Sequence, residues 1–189
     1  MIKGISYLSF ENGLANTQSI ESALAQTKTY GFDALELAIS TEGVLKTSTT
    51  KAECKIIRQK IDDSGIFVDS LASGMSWGIS PTSEDEATRN KSISLHKDAL
   101  QVASNLGCKA LLFVPGVVKS PISSEIVRYD KALDRIRDAI NQLLPIADDL
   151  DVDLCMENVW NGFFYSPIEL RDFVDSFESN KLGVYLDVG

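Results

Sequence analysis

The fold class predicted for this 189-residue chain is α/β, and within it a (β/α) barrel with about six of the usual eight strands. Three observations predict it. Short apolar runs rich in β-formers alternate regularly with longer helical patterns, which implies parallel strands joined by helical crossovers. Glycines punctuate the first three units, with Gly31, Gly65 and Gly107 each standing where a helix should stop. The loop after the first strand, Ser9 to Asn16, has neither a GxGxxG pattern nor a Walker lysine, so a doubly wound nucleotide fold is disfavoured against a TIM-type barrel.

The elements follow in order. Ile2 to Leu8 reads as the first strand, and Ser19 to Tyr30 as its helix, closed at Gly31. Asp33 to Ile39 is the second strand, and Thr50 to Ser64 its helix, stopped by Gly65. Phe67 to Leu71 is the third strand, leading to a long helix over Ser83 to Leu106. Ala110 to Val114 and Tyr129 to Asp149 form the fourth unit. Asp153 to Met156 is the fifth strand, followed by a helix from Pro167 to Phe177, with Ser166 as N-cap and proline at the favoured first position. Gly183 to Val188 is the sixth strand. No Pro-, Gly- or Ser-rich linker divides the chain, so residues 1–189 are expected to be a single domain. A closed eight-stranded barrel usually takes about 250 residues. Six units filling 189 residues are therefore expected to be the first three quarters of a barrel, with open strand edges that self-association would cover.

Eighteen Lys and Arg against 27 Asp and Glu give a formal charge of −9, which argues against a nucleic-acid or anionic-membrane surface. No apolar run approaches the ~20 residues that span a bilayer, and the N-terminus lacks an export pattern, so a cytoplasmic location is expected. Cys54, Cys108 and Cys155 are widely spaced, without a CxxC, and are expected to be reduced, buried thiols.

In a (β/α) barrel the chemistry sits at the C-terminal strand ends. Leu154-Cys-Met-Glu157 brings a carboxylate to such an end, and Gly183-Val-Tyr-Leu-Asp187 does the same one strand later. Adjacent strands in register would set Glu157 and Asp187 side by side. Two carboxylates there repel unless a proton or a divalent cation lies between them. Spacing alone leaves a second reading open, in which each carboxylate caps a helix or pairs with a Lys or Arg.

The segment Met156-Glu-Asn-Val-Trp-Asn-Gly-Phe-Phe-Tyr-Ser-Pro, followed by Gly183-Val-Tyr-Leu-Asp-Val-Gly189, resembles the sugar phosphate isomerase/epimerase group of the xylose isomerase-like TIM barrels. Gly31 to Leu37 and Ala103 to Lys109 resemble other parts of the same group. The resemblance implies a divalent metal (manganese, magnesium, cobalt or zinc) held by Glu, Asp, His and Glu from four late strands. Glu157 and Asp187 match the first two. It also implies proton abstraction next to a carbonyl of a small sugar or sugar phosphate, through an enediolate, with Glu157 as both ligand and catalytic acid-base group. The matching His and second Glu would belong to later strands, so the 189-residue chain alone is expected to be a poor catalyst or none, or a subunit completed by another chain.

His96, the one histidine, is read as an ordinary residue of the third helix, away from the strand ends. An apurinic endonuclease-like metal hydrolase shares the barrel, but it needs several histidine ligands and a basic face, against one His and a charge of −9. Further substrate-binding candidates are Glu36 at the end of the second strand, where a structural ion pair is the competing reading, and Trp77 in a glycine-containing loop, where it either packs on a sugar or anchors the loop. Trp160 and Asn161, just beyond Glu157, complete the set.

Overall fold

In the computed structural model residues 1–188 are described, and among them six parallel strands form one sheet in the order of the sequence. The elements are β1 (Gly4–Ser6), α1 (Ile20–Thr29), β2 (Ala34–Ile39), α2 (Lys51–Ser64), β3 (Ser70–Ser73), α3 (Glu86–Leu106), β4 (Ala110–Phe113), α4 (Tyr129–Leu150), β5 (Asp153–Glu157), α5 (Pro167–Asp175) and β6 (Leu182–Tyr185). Each strand pairs with the one before it, so every helix is a crossover between neighbours.

Local chemistry sets the helix ends. The Ser19 hydroxyl accepts from the Ser22 N–H, and Thr50 and Glu53 cap α2 reciprocally as a capping box. Gly65 and Gly107 end α2 and α3 in the left-handed region at φ 72° and 75°. Helix α3 starts three residues later than the sequence suggests, because Asp85 of the acidic run Glu84-Asp-Glu86 is spent as its N-cap, accepting from the Thr88 N–H. Ser166 caps α5 ahead of Pro167, as expected.

Strand alternation divides the apolar residues between two faces. Leu35, Leu37, Ile39, Leu71, Leu111, Phe113, Leu154 and Met156 belong to the large core in which Leu100, Ile136 and Leu143 of the helices are also buried. The intervening residues Ala72, Leu112 and Val114 form a separate small cluster with Trp77, Val159 and Tyr185. At the opposite end of the strands, Lys181 reaches Asp151 at 2.6 Å and Asp153 at 3.1 Å, while Lys109 reaches Asp151 at 2.6 Å.

Three strands differ from the sequence expectation by two residues or more. β1 ends at Ser6 because Tyr7–Ser9 coils into a 3-10 turn capped by the Ser6 hydroxyl. β3 begins at Ser70 and not Phe67, since Phe67 makes only an isolated bridge to Ala34 and is 52% exposed. β6 ends at Tyr185, so Asp187 lies past the regular strand. Cys54 and Cys108 are free and buried, while Cys155 is free and half-buried. No helix among the described residues is long and apolar enough to cross a membrane.

Candidate functional site at the C-terminal strand ends

The candidate site is a cavity of about 580 Å³, lined by Glu36, Glu157, Tyr185, Asp187, Trp77 and the small apolar residues of β3 and β4. Strand periodicity brings the carboxylates here: Glu157 ends β5, opposite Tyr185 in the β5–β6 register, and Asp187 follows two residues later. The side-by-side pairing expected of Glu157 and Asp187 is therefore replaced by a staggered one, with Tyr185 as the register partner. Both carboxylates nevertheless line the same cavity.

A second polar pair lies deeper. The Tyr185 hydroxyl donates to Glu36 Oε1 at 3.2 Å, and the Ser70 hydroxyl donates to Glu36 Oε2 at 3.0 Å. These bonds bridge β2, β3 and β6 across the curved sheet. Tyr185 and Ser70 were not among the sequence candidates because a Tyr or a Ser within an apolar strand is commonly a core residue. The only available signal was their shared parity with Glu157 and Ala72 on the strands.

The electrostatics concentrate on the carboxylates. Burial, then the charges of Asp187 and Glu36, push the Glu157 carboxyl up to about 7. Burial also raises Glu36, against the lowering effect of its hydrogen bonds from Ser70 and Tyr185. Tyr185 is pushed up to about 12 by burial and by the Glu36 charge, which keeps its hydroxyl a donor.

Of the remaining candidates, Trp77 lines the cavity and packs at a 31° tilt on Trp160, with ring centroids 4.8 Å apart. Trp160 is 63% exposed beside it. Asn161 is buried and does not line the cavity. Its Nδ2 donates to the Gly116 carbonyl at 2.7 Å, its Oδ1 accepts from Phe163 N–H at 3.1 Å, and its carbonyl accepts from Val118 and Lys119. It ties the loop after β5 to the loop after β4. That second loop is tied in turn to the loop after β3, because Thr82 donates to the Val117 carbonyl at 2.8 Å.

His96 is nearer the strand ends than its place in α3 suggested. It is fully buried, with Nδ1 2.8 Å from the Ser92 carbonyl and Nε2 3.4 Å from the Ser73 hydroxyl at the end of β3. A carbonyl only accepts, so Nδ1 carries the proton and Nε2 is the acceptor for Ser73. Burial pulls this histidine down to about 4. It packs edge-on to Phe113, with ring centroids 4.8 Å apart.

Glu157 and Asp187 are two hard oxygen donors whose mutual charge a cation would relieve, which fits magnesium or manganese chemistry. Among the described residues no group of three or more His, Cys, Asp and Glu side chains forms a metal cage.

A parallel (β/α) sheet with acidic residues converging at its C-terminal strand ends defines a TIM-barrel class of protein. Residues 24–189 match the family described as xylose isomerase-like TIM barrel, and the chain belongs to that family. It is 23% identical over 183 residues to a Haemophilus influenzae protein that carries the name of an L-ribulose-5-phosphate 3-epimerase, covering 95% of this chain and 62% of that one. An uncharacterised protein of Methanocaldococcus jannaschii is 22% identical over 175 residues, covering 91% of this chain and 57% of its own length. Among solved structures, a D-psicose 3-epimerase crystallised in the presence of D-fructose is 25% identical with a TM-score of 0.79, covering 99% of this chain and 63% of that chain. The chain thus spans about three fifths of the length of the relatives it matches.

Proposed function

We propose that this chain carries the first metal-binding and acid-base groups of an isomerase or epimerase acting on a small ketose, free or phosphorylated. The observation that carries the reading is Glu157: a carboxyl at a strand end, held near neutral acidity, facing a sugar-sized cavity beside Asp187. Sugar epimerases among the relatives and structural neighbours support it. In this reading a divalent cation (Mn, Mg, Co or Zn) held by Glu157 and Asp187 supplies Lewis-acid polarisation of the ketose carbonyl and its neighbouring hydroxyl. Glu157 takes up the proton from the carbon beside the carbonyl, and the electron pair left behind moves onto the carbonyl oxygen as an enediolate. Glu36, fixed by Ser70 and Tyr185, meets sugar hydroxyls, and the Trp77–Trp160 pair offers an apolar face to the sugar carbons. The free thiols suit a reducing, cytoplasmic setting.

The test is solvent deuterium incorporation next to the carbonyl of D-fructose and of ribulose 5-phosphate, followed by NMR with Mn²⁺ present, alongside calorimetric titration of Mn²⁺. Glu157→Gln should weaken Mn²⁺ binding and remove the slow exchange expected of a chain that carries only part of the site. Unchanged metal affinity and unchanged exchange in that variant would remove Glu157 from the site.

A second reading, completion by another copy of the chain, is favoured by the outer side of β6. There Val184 and Leu186 are 43% and 70% exposed over a groove of about 470 Å³ against α5. Light scattering across a concentration series distinguishes a monomer from a self-associated form.

A further inference from the structure

We infer that Asn158 is a positioning residue for the carboxylate pair, an inference that rests on the site reading above. The β5–β6 ladder ends at the Glu157–Tyr185 pair, and β5 leaves the sheet there. Asp187 lies beyond that last pair, past the end of both β5 and β6. Its main chain is held there by the Asn158 side chain. Asn158 Oδ1 accepts from the Asp187 N–H at 2.9 Å, and Asn158 Nδ2 donates to the Asp187 carbonyl at 2.7 Å.

A carboxamide has one acceptor and two donors on a planar frame, so it replaces the peptide group that a continuing β5 would have offered. Asp in this place would keep only the acceptor half, and Leu, of similar size, neither half. The residue that carries the clamp directly follows Glu157, and the residue it grips is Asp187 itself. The Asn158 side chain therefore links the positions of the two carboxylates. The clamp lets the sheet open into a loop after Glu157 while still delivering the Asp187 side chain to the cavity.

The experiment uses the full chain and its Asn158→Leu and Asn158→Asp variants. Amide hydrogen exchange is followed at Asp187 by NMR, with Leu154 to Met156 as internal reference, and Mn²⁺ alone is titrated calorimetrically. In Asn158→Leu the Asp187 amide should exchange about tenfold faster, and Mn²⁺ should bind about tenfold more weakly, while protection of the reference amides is unchanged. In Asn158→Asp the Asp187 amide should stay protected, because its acceptor remains; a role in packing alone would treat the two variants alike.

Equal exchange at Asp187 in all three proteins overturns the clamp. Faster exchange in Asn158→Leu with undiminished Mn²⁺ affinity overturns its service to the site. If the unsubstituted chain binds no Mn²⁺, the metal reading falls, and the exchange pattern alone decides whether Asn158 holds Asp187. Should Asn158→Leu fail to fold, Asn158→Ala, which also lacks both halves of the clamp, takes its place in the exchange measurement at Asp187 and in the Mn²⁺ titration, with the same expected and overturning results.

Discussion

Glu157 bears a cost that burial imposes first and the charges of Asp187 and Glu36 second. With its carboxyl raised to about 7 against an ordinary 4.5, its contribution to folding is fully favourable below about pH 4.5 and is lost as pH rises through 7. In metal-free protein at pH 8, Glu157→Gln is expected to be the more stable form by about 1–2 kcal/mol, after allowance for solvent screening. Urea denaturation at pH 5 and pH 8 checks this; equal midpoints for the two proteins at pH 8 would contradict it. His96 has the opposite sign. Held down to about 4 against 6.5, it gives stability that is complete above pH 6.5 and is lost as pH falls towards 4. Between pH 7 and pH 5 that loss is about 2 kcal/mol. His96→Gln should be less stable at pH 7, and its stability should fall less steeply with acid than that of the unsubstituted chain. Parallel pH profiles would show that His96 titrates normally in the folded state.

At the scale of elements, the loops after β3, β4 and β5 behave as one unit because Asn161, Gly116 and Thr82 lie at their junction. Gly116 has φ +93°, and a Cβ there would come within 2.6 Å of the Thr82 methyl carbon. Gly116→Ala is therefore expected to destabilise by about 2 kcal/mol or more, through strain and contact together. Asn161→Ala leaves the Gly116 carbonyl and the Phe163 N–H without their partner and should cost about 2–3 kcal/mol. Chemical denaturation measures both, and a change below about 0.5 kcal/mol would mean that the loops are held elsewhere. Sequence reading placed Asn161 among the substrate contacts because it follows Glu157 closely. A buried asparagine binding backbone and an exposed one binding a hydroxyl look identical in a sequence. Helices were more legible: their glycine stops and Ser166-Pro167 are local signals, read within four residues. Strand ends were less so, since β3 and β6 stop where a neighbour stops pairing, which no window of one strand contains. The Tyr185–Glu36 bond joins residues 149 positions apart and depends on sheet curvature, so it was beyond reach.

Over the whole molecule, the alternation that predicted a parallel barrel carried through to a sheet whose strands follow chain order. Composition also yields an expectation at this scale. A net charge of −9 should prevent binding to duplex DNA, so fluorescence anisotropy of a labelled duplex should remain flat at physiological salt. A saturable rise would revive the endonuclease reading. The partition of apolar residues between the two faces of the sheet has a further consequence. The residues that hold the fold together, Leu71, Phe113 and Met156 among them, belong to the core shared with the helices, and those lining the cavity include Glu36, Ala72 and Leu112. Exchanging a cavity residue disturbs the small cluster around Ala72, Leu112 and Val114 and not the large core packed by the helices. Foldedness and chemistry are thus written on opposite sides of the same strands. Under the proposed function, a change of sugar can come from inward-facing substitutions whose packing cost falls on the small cluster and not on the core shared with the helices.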